Sequence, residues 1–167
     1  MENITLIGMP GSGKSSIGVV LAKVLGYEFL DADLLIQARQ GALLQELLDR
    51  HGLDAFLDME RDAICSIRCR RTVIAPGGSC VLREGSMEHL KSLGQIIYLK
   101  LGYPALERRV TNLATRGIAF APGQTLADVY RQREPLYARW ADVTVAVDDH
   151  QGPAATLEAV RAALGAY

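Results

Sequence analysis

Gly8 to Ser15 read G-M-P-G-S-G-K-S, a complete match to the phosphate-binding pattern G-x-x-x-x-G-K-[ST]. Glycine reaches backbone conformations closed to other residues, so successive N–H groups can turn inward on phosphate oxygens. A helix following such a loop offers its positive end to the same anion. Lys14 adds a movable positive charge for the outer phosphates, and the Ser15 hydroxyl is a natural magnesium ligand. The pattern implies ATP-type chemistry, with Gly11, Ser12, Gly13, Lys14, Ser15 and Ser16 around the nucleotide.

The loop works only between a strand and a helix, and both are legible. Ile4, Leu6 and Ile7 form an apolar run suited to a buried strand, and Ile17 to Leu25 carry a helical apolar pattern that stops at Gly26. A second strand is expected at Tyr27–Leu30, ending in Asp31-Ala32-Asp33. From Asp33 to Ile67 the chain is helical in character, with breaks expected at Gly41 and near Gly52. Thr72–Ala75 reads as a third strand running into Pro76-Gly77-Gly78-Ser79, and Ile96–Leu99 as a fourth after a helix near Glu84–Leu93. A helix beginning near Pro104 runs toward Asn112. Ala114 to Gly123 has no period and contains two glycines and a proline, which suits a mobile lid. Thr125 can cap a helix reaching about Trp140, although Pro135 should disturb it. Val143–Val147 forms a fifth strand before a closing helix from about Pro153.

Strands alternating with helices predict an α/β fold in three layers, α/β/α, with a five-stranded parallel sheet and helices on both faces. Functional groups should gather at the carboxyl ends of the strands. The 167 residues fit one domain, 1–167, with a helical substrate-binding insert near 33–67 and a lid near 112–124.

The formal net charge of −1, without blocks of like charge, points away from nucleic acid and toward a small-molecule partner. No apolar stretch approaches the roughly 20 residues of a membrane span, and no signal-peptide pattern precedes the first strand. A cytoplasmic monomer is expected. Cys65, Cys69 and Cys80 lack metal or redox spacing, and His51, His89 and His150 are far apart in polar surroundings, so no role is assigned to either set.

A phosphate loop alone does not choose among kinases, switch GTPases and motor-like ATPases. The chain has no Asn/Thr-Lys-x-Asp guanine-reading motif, and the third strand lacks a terminal acidic pair. A small-molecule kinase is the leading class.

The arrangement as a whole resembles the shikimate kinase family over nearly the full chain. The loop continues as Ser15-Ser16; Asp31-x-Asp33 is similar to the family's D-x-D; Pro76-Gly77-Gly78-Ser79 is close to its glycine triplet. Arg116 stands in the lid where the family keeps an arginine, and Arg133-Glu-Pro-Leu-Tyr137 with Ala141-Asp142 resembles its R-x-P-L-Y and A-D segments. The resemblance implies ATP and magnesium as cofactors, Ser15 and Asp31 on the metal, and Lys14, Asp33 and Arg116 in catalysis. It also implies Asp33, Gly77, Gly78, Ser79 and Arg133 on the acceptor, with Arg109 and the Asp148–Pro153 turn near adenine. For Asp33 a helix cap is the competing role, and for Gly77 and Gly78 a simple turn.

One departure concerns the acceptor. Where the family reads Phe-Arg-x-x-Glu, this chain reads Phe56-Leu57-Asp58-Met59-Glu60. A bidentate charged hydrogen bond contributes about 1.5 to 3 kcal/mol, so losing the carboxylate-binding arginine is not neutral. Either Arg61, one helical turn on and about 6 Å along the axis, supplies a displaced guanidinium, or the acceptor differs. In the second case, Leu57 with Ile118, Ala119 and Phe120 would line a less polar pocket. Shikimate to shikimate 3-phosphate is the leading reaction. A gluconate-type or nucleotide kinase, or a silent ATP-binding regulator, is the alternative.

Overall fold

The computed structural model describes residues 3–110 and 118–165. Five strands form one parallel sheet: β1 (Asn3–Ile7), β2 (Glu28–Asp31), β3 (Thr72–Ala75), β4 (Gly94–Leu101) and β5 (Val143–Val147), in the order β2-β3-β1-β4-β5. Seven helices connect them among the described residues: α1 (Lys14–Leu25), α2 (Ala32–Gln40), α3 (Leu44–Cys65), α4 (Glu84–Leu93), α5 (Tyr103–Arg109), α6 (Leu126–Trp140) and α7 (Gly152–Ala163). The P-loop-type α/β sandwich expected from the pattern is the observed architecture.

β1, β3 and β4 are buried along nearly their whole length, as a parallel sheet covered on both faces requires. On one face Ile4, Leu6, Val73, Ile97 and Leu99 pack with Ile17 and Leu21 of α1 and Val160 of α7. On the other, Ile7, Ile74, Ile96 and Tyr98 meet Ile64, Met87, Leu90, Val129 and Tyr137 from α3, α4 and α6. A third cluster, Ile36, Leu44, Leu47, Phe56, Leu57 and Ala63, gives the α2–α3 insert its own small core. Ala119 packs into that cluster.

The element boundaries differ from expectation in instructive ways. β4 begins at Gly94 rather than Ile96, because main-chain pairing with β1 starts at Asn3↔Gly94, where no apolar side chain signals it. β2 is displaced by one residue to Glu28–Asp31. α6 runs unbroken through Pro135, so the disturbance expected there does not end the helix. α2 ends at Gly41, and Gly52 interrupts α3 with φ 77° and ψ 174°, both where breaks were expected. A short 3-10 turn, Cys80–Leu82, follows the glycine loop and has no clear sequence signature.

The strand order decides what meets what. β3 lies between β2 and β1, so its Pro76–Ser79 loop sits between the acidic end of β2 and the phosphate loop after β1.

Candidate active site

The phosphate loop rises from the end of β1 and closes on α1 at Gly13 (φ 98°). The Lys14 ammonium is buried and donates to the Gly8 and Met9 carbonyls at 2.9 Å each. Burial pushes its pKa down, opposed chiefly by the charge of Asp33. Ser12 tucks its hydroxyl under the loop and spends its N–H on the Met9 carbonyl at 3.0 Å. Gly11, Gly13, Lys14, Ser15 and Ser16 line the adjoining cavity; Ser12 does not. On the far side Arg109 donates to Gly11 O (3.1 Å) and to Asp149 (2.7 Å), and Asp149 also accepts from Arg108. These bonds hold the Asp149 carboxyl below its usual range. Arg109 and the turn leading into Pro153 therefore meet at the edge of the loop.

Asp31 carries two jobs at the end of β2. Its Oδ1 accepts the Asp33 N–H at 2.9 Å, capping α2, while its Oδ2 accepts the Ser15 hydroxyl at 3.0 Å. The helix cap is thus Asp31 and not Asp33, since the residue with extended backbone just before α2 is Asp31. Asp33 is left free to face the cavity. Burial, followed by the charge of Asp31, raises its pKa to about 6, with Lys14 pulling the other way.

Beyond the loop lies a cavity of about 270 Å3, lined by Asp33, Phe56, Glu60, Pro76–Ser79, Ile118, Ala119 and Arg133 as well as the phosphate loop. It lies just below the roughly 300–1,000 Å3 usual for ligand pockets, which suits a small acceptor rather than a whole nucleotide. Gly78 packs so closely on Pro10 that a Cβ there would meet Pro10 Cδ at 2.8 Å. The Tyr137 hydroxyl donates to the Gly78 carbonyl, fixing this loop from α6.

Three side chains give the acceptor side its charge. Arg133 is 1% exposed, with Nη2 donating to Ala119 O while Nε and Nη1 find no partner among the described residues. Glu60, also 1% exposed, accepts from the Ser79 hydroxyl, which stands 2.9 Å from each carboxylate oxygen. Burial raises Glu60 to about pKa 7 despite that bond. Asp33 completes the set.

The fold gathers Lys14, Asp33, Gly77, Gly78, Ser79 and Arg133 around this one cavity, with Ser15 and Asp31 in contact at its edge. It does not bring Arg61 there. The Arg61 guanidinium lies at the surface, paired with Asp58 and Asp62 at 3.0 and 2.9 Å, and its stem packs toward Gly85 of α4. Leu57 also points elsewhere, into the insert core; Ile118 and Ala119 line the cavity, but Phe120 packs on the sheet side. Arg116 and the 112–117 part of the lid lie outside the described residues.

Phe56 and Glu60 line the cavity, although from sequence they figure only as the ends of the Phe56–Glu60 segment, with a role for neither. A signal existed: Phe56, Glu60 and Ile64 recur every fourth residue, so an acid sits in an otherwise apolar buried stripe. Cys80 is buried directly after Ser79, where desolvation drives its thiol pKa upward and makes it a poor nucleophile.

Comparison with known proteins is consistent along the whole chain. The family model described as shikimate kinase matches residues 10–163. A shikimate kinase of Paracidovorax citrulli is 33% identical over 161 residues, 93% of this chain and 88% of that one. Another, from Nitratidesulfovibrio vulgaris, is 37% identical over 144 residues, 83% of this chain and 82% of its own. Among solved structures, the shikimate kinase from Acinetobacter baumannii in complex with shikimate superposes with a TM-score of 0.87. It is 27% identical and covers 99% of this chain and 94% of its own.

Proposed function

This chain belongs to the shikimate kinase family and is an ATP-dependent kinase; from that premise we propose that it transfers the γ-phosphoryl group of ATP to shikimate, giving shikimate 3-phosphate. The observation that carries the acceptor is Arg133. A buried guanidinium whose Nε and Nη1 have no partner among the described residues is costly unless an anion completes it, and it lines the cavity that Asp33 and Lys14 also face. A ring acid bearing hydroxyls fits: its carboxylate completes Arg133 while one hydroxyl meets Asp33.

The residues divide the work as follows. Main-chain N–H groups of the loop and the Lys14 ammonium grip the phosphates, and Lys14 leaves the Gly8 and Met9 carbonyls to do so. Asp33 orients the acceptor hydroxyl for in-line attack and takes up its proton late, so placement and charge matter more than basicity. Gly77 and Gly78 offer main-chain N–H groups to the acceptor, and Arg116 would add charge from the lid. Arg109 and Pro153 bracket the adenine side.

Magnesium fits the Ser15–Asp31 pair, an oxygen-only donor set at the phosphate end of the cavity. Among the described residues no group of three His, Cys, Asp or Glu side chains could hold a metal by itself, so phosphate oxygens and water would supply the remaining ligands. When bound there, the ion neutralises charge on the outer phosphates.

Leu57 stands where the family arginine is expected, which leaves Arg133 as the guanidinium in the cavity among the described residues. A weaker carboxylate grip, and so a raised Michaelis constant for shikimate, follows. On this reading the enzyme acts as a cytoplasmic monomer on a small solute. No helix among the described residues is long and apolar enough to cross a membrane. The test is product formation from ATP, magnesium and shikimate, beside the same ring with its carboxylate converted to an amide. Equal turnover of both would reject the role given to Arg133, and turnover of neither would reject the acceptor.

A further inference from the structure

A buried carboxylate and a buried guanidinium share the cavity wall without bonding to each other. Glu60 is close enough for the charge of Arg133 to be felt at its carboxyl, yet neither is the other's hydrogen-bond partner. Two opposite charges removed from water ordinarily pair, because each otherwise carries its desolvation cost alone. Something must hold them apart. The only donor to Glu60 among the described residues is the Ser79 hydroxyl, equidistant from both carboxylate oxygens, on the loop after β3. Arg133 donates through Nη2 to the Ala119 carbonyl, and its Nε and Nη1 have no partner among the described residues.

We propose that Ser79 is a positioning residue for the acceptor: by tethering Glu60 to the glycine loop it keeps that carboxylate off Arg133 and leaves the guanidinium free for the substrate's carboxylate. The serine's hydroxyl is the working part. A glycine or alanine at position 79 would remove the hydroxyl donor from Glu60, and the side chain would swing onto the Arg133 N–H groups as an internal competitor. This inference rests on the acceptor reading above only in naming the substrate anion.

Steady-state kinetics with shikimate test it. In Ser79→Ala the Michaelis constant for shikimate is expected to rise about tenfold or more, while kcat and the constant for ATP stay within about twofold. Adding Glu60→Gln to Ser79→Ala removes the competing charge and should recover most of the loss, a recovery that mere loss of packing at position 79 would not give. Ser79→Cys keeps the bulk but donates weakly, and should show the same shift if the alanine variant folds poorly. Acidification adds a further readout. Glu60 is surrounded by Asp33 from α2, Lys14 from α1, Arg133 from α6 and Cys80 beyond β3. The ratio of variant to parent constants cancels what Asp33 contributes to both, and it should fall as pH drops and protonated Glu60 lets go of Arg133.

An unchanged constant in Ser79→Ala, or a double variant as weak as the single one, would overturn the proposal. If the parent enzyme ignores shikimate, the acceptor reading fails and a crystal structure of Ser79→Ala decides this one. Glu60 within hydrogen-bond distance of Arg133 supports it, and Glu60 left in its present place sinks it.

Discussion

Asp33 and Glu60 converge on one glycine. Asp33 Oδ1 and Glu60 Oε1 lie 2.9 and 2.5 Å from the point where a Cβ on Gly77 would sit. A side chain at this position would meet the two carboxylate ends, and the crowding rather than the backbone angles of Gly77 is what bears on it. Gly77→Ala should therefore push both carboxylates outward and lower kcat/KM by about a hundredfold, with about 1 to 3 kcal/mol of lost stability from overpacking. A variant that keeps parental kinetics would show that neither carboxylate needs its present position.

The same pair sets a pH dependence. Both carboxyls have folded-state values above their ordinary ones, Asp33 at about 6 and Glu60 at about 7, so the folded chain binds more protons than the unfolded chain between about pH 4 and 7. Their contribution to stability is fully present below that window and is lost as pH rises through it. For Glu60 the difference amounts to at most about 3 kcal/mol. Thermal unfolding of the ligand-free protein from pH 5 to 8 should show the slope, and Glu60→Gln should flatten it. In kinetics the free enzyme should lose kcat/KM below about pH 6, as Asp33 protonates.

Asp31 separates a structural from a chemical role within one side chain. Asn retains an oxygen that can cap α2 but gives up the charge beside Ser15, whereas Ala loses both. Asp31→Asn and Asp31→Ala should both raise the magnesium concentration needed for half-maximal rate, by about tenfold or more. Only Asp31→Ala should also lose about 1 kcal/mol of stability. Equal melting temperatures for the two variants would remove the cap from the account.

Arg109 and Arg133 should split nucleotide from acceptor. Arg109→Ala breaks contacts to Gly11 and Asp149 and should raise the Michaelis constant for ATP about three- to tenfold, with little change for shikimate. Arg133→Lys should do the reverse, about ten- to a hundredfold on shikimate, because an ammonium does not reproduce the two-pronged contact. The assay is a pair of substrate titrations for each variant, and a mixed effect in either would count against the assignment.

Arg61 supplies the contrast. Paired at the surface with Asp58 and Asp62, its replacement by alanine should leave the shikimate constant within about twofold, as expected for an exposed pair. A tenfold rise would reinstate a guanidinium displaced by one helical turn.

Local chemistry made much of this chain readable in one dimension. The phosphate loop, the acidic end of β2 and the glycine-rich end of β3 depend on contiguous residues, since a turn needing glycine or an anion cradle of main-chain amides is specified by neighbours in sequence. Gly41 and Gly52 likewise marked the breaks around the insert helices.

Position on the insert helix was a different matter. Arg61 follows Glu60 directly, yet one lies in solvent and the other is 1% exposed, because successive helical residues turn by about 100° and only packing decides which direction is inward. Pairing Glu60 with Ser79 joins residues 19 apart, and Tyr137 with Gly78 residues 59 apart, through contacts that exist only once α3 and α6 are laid against the sheet. The sequence by itself determined the phosphate-loop pattern and which strand ends carry the acidic and glycine-rich segments beside it. The tertiary structure decided which charges share the acceptor cavity, because burial, and with it the strength and partner of every charge, is a property of the packed chain and not of its letters.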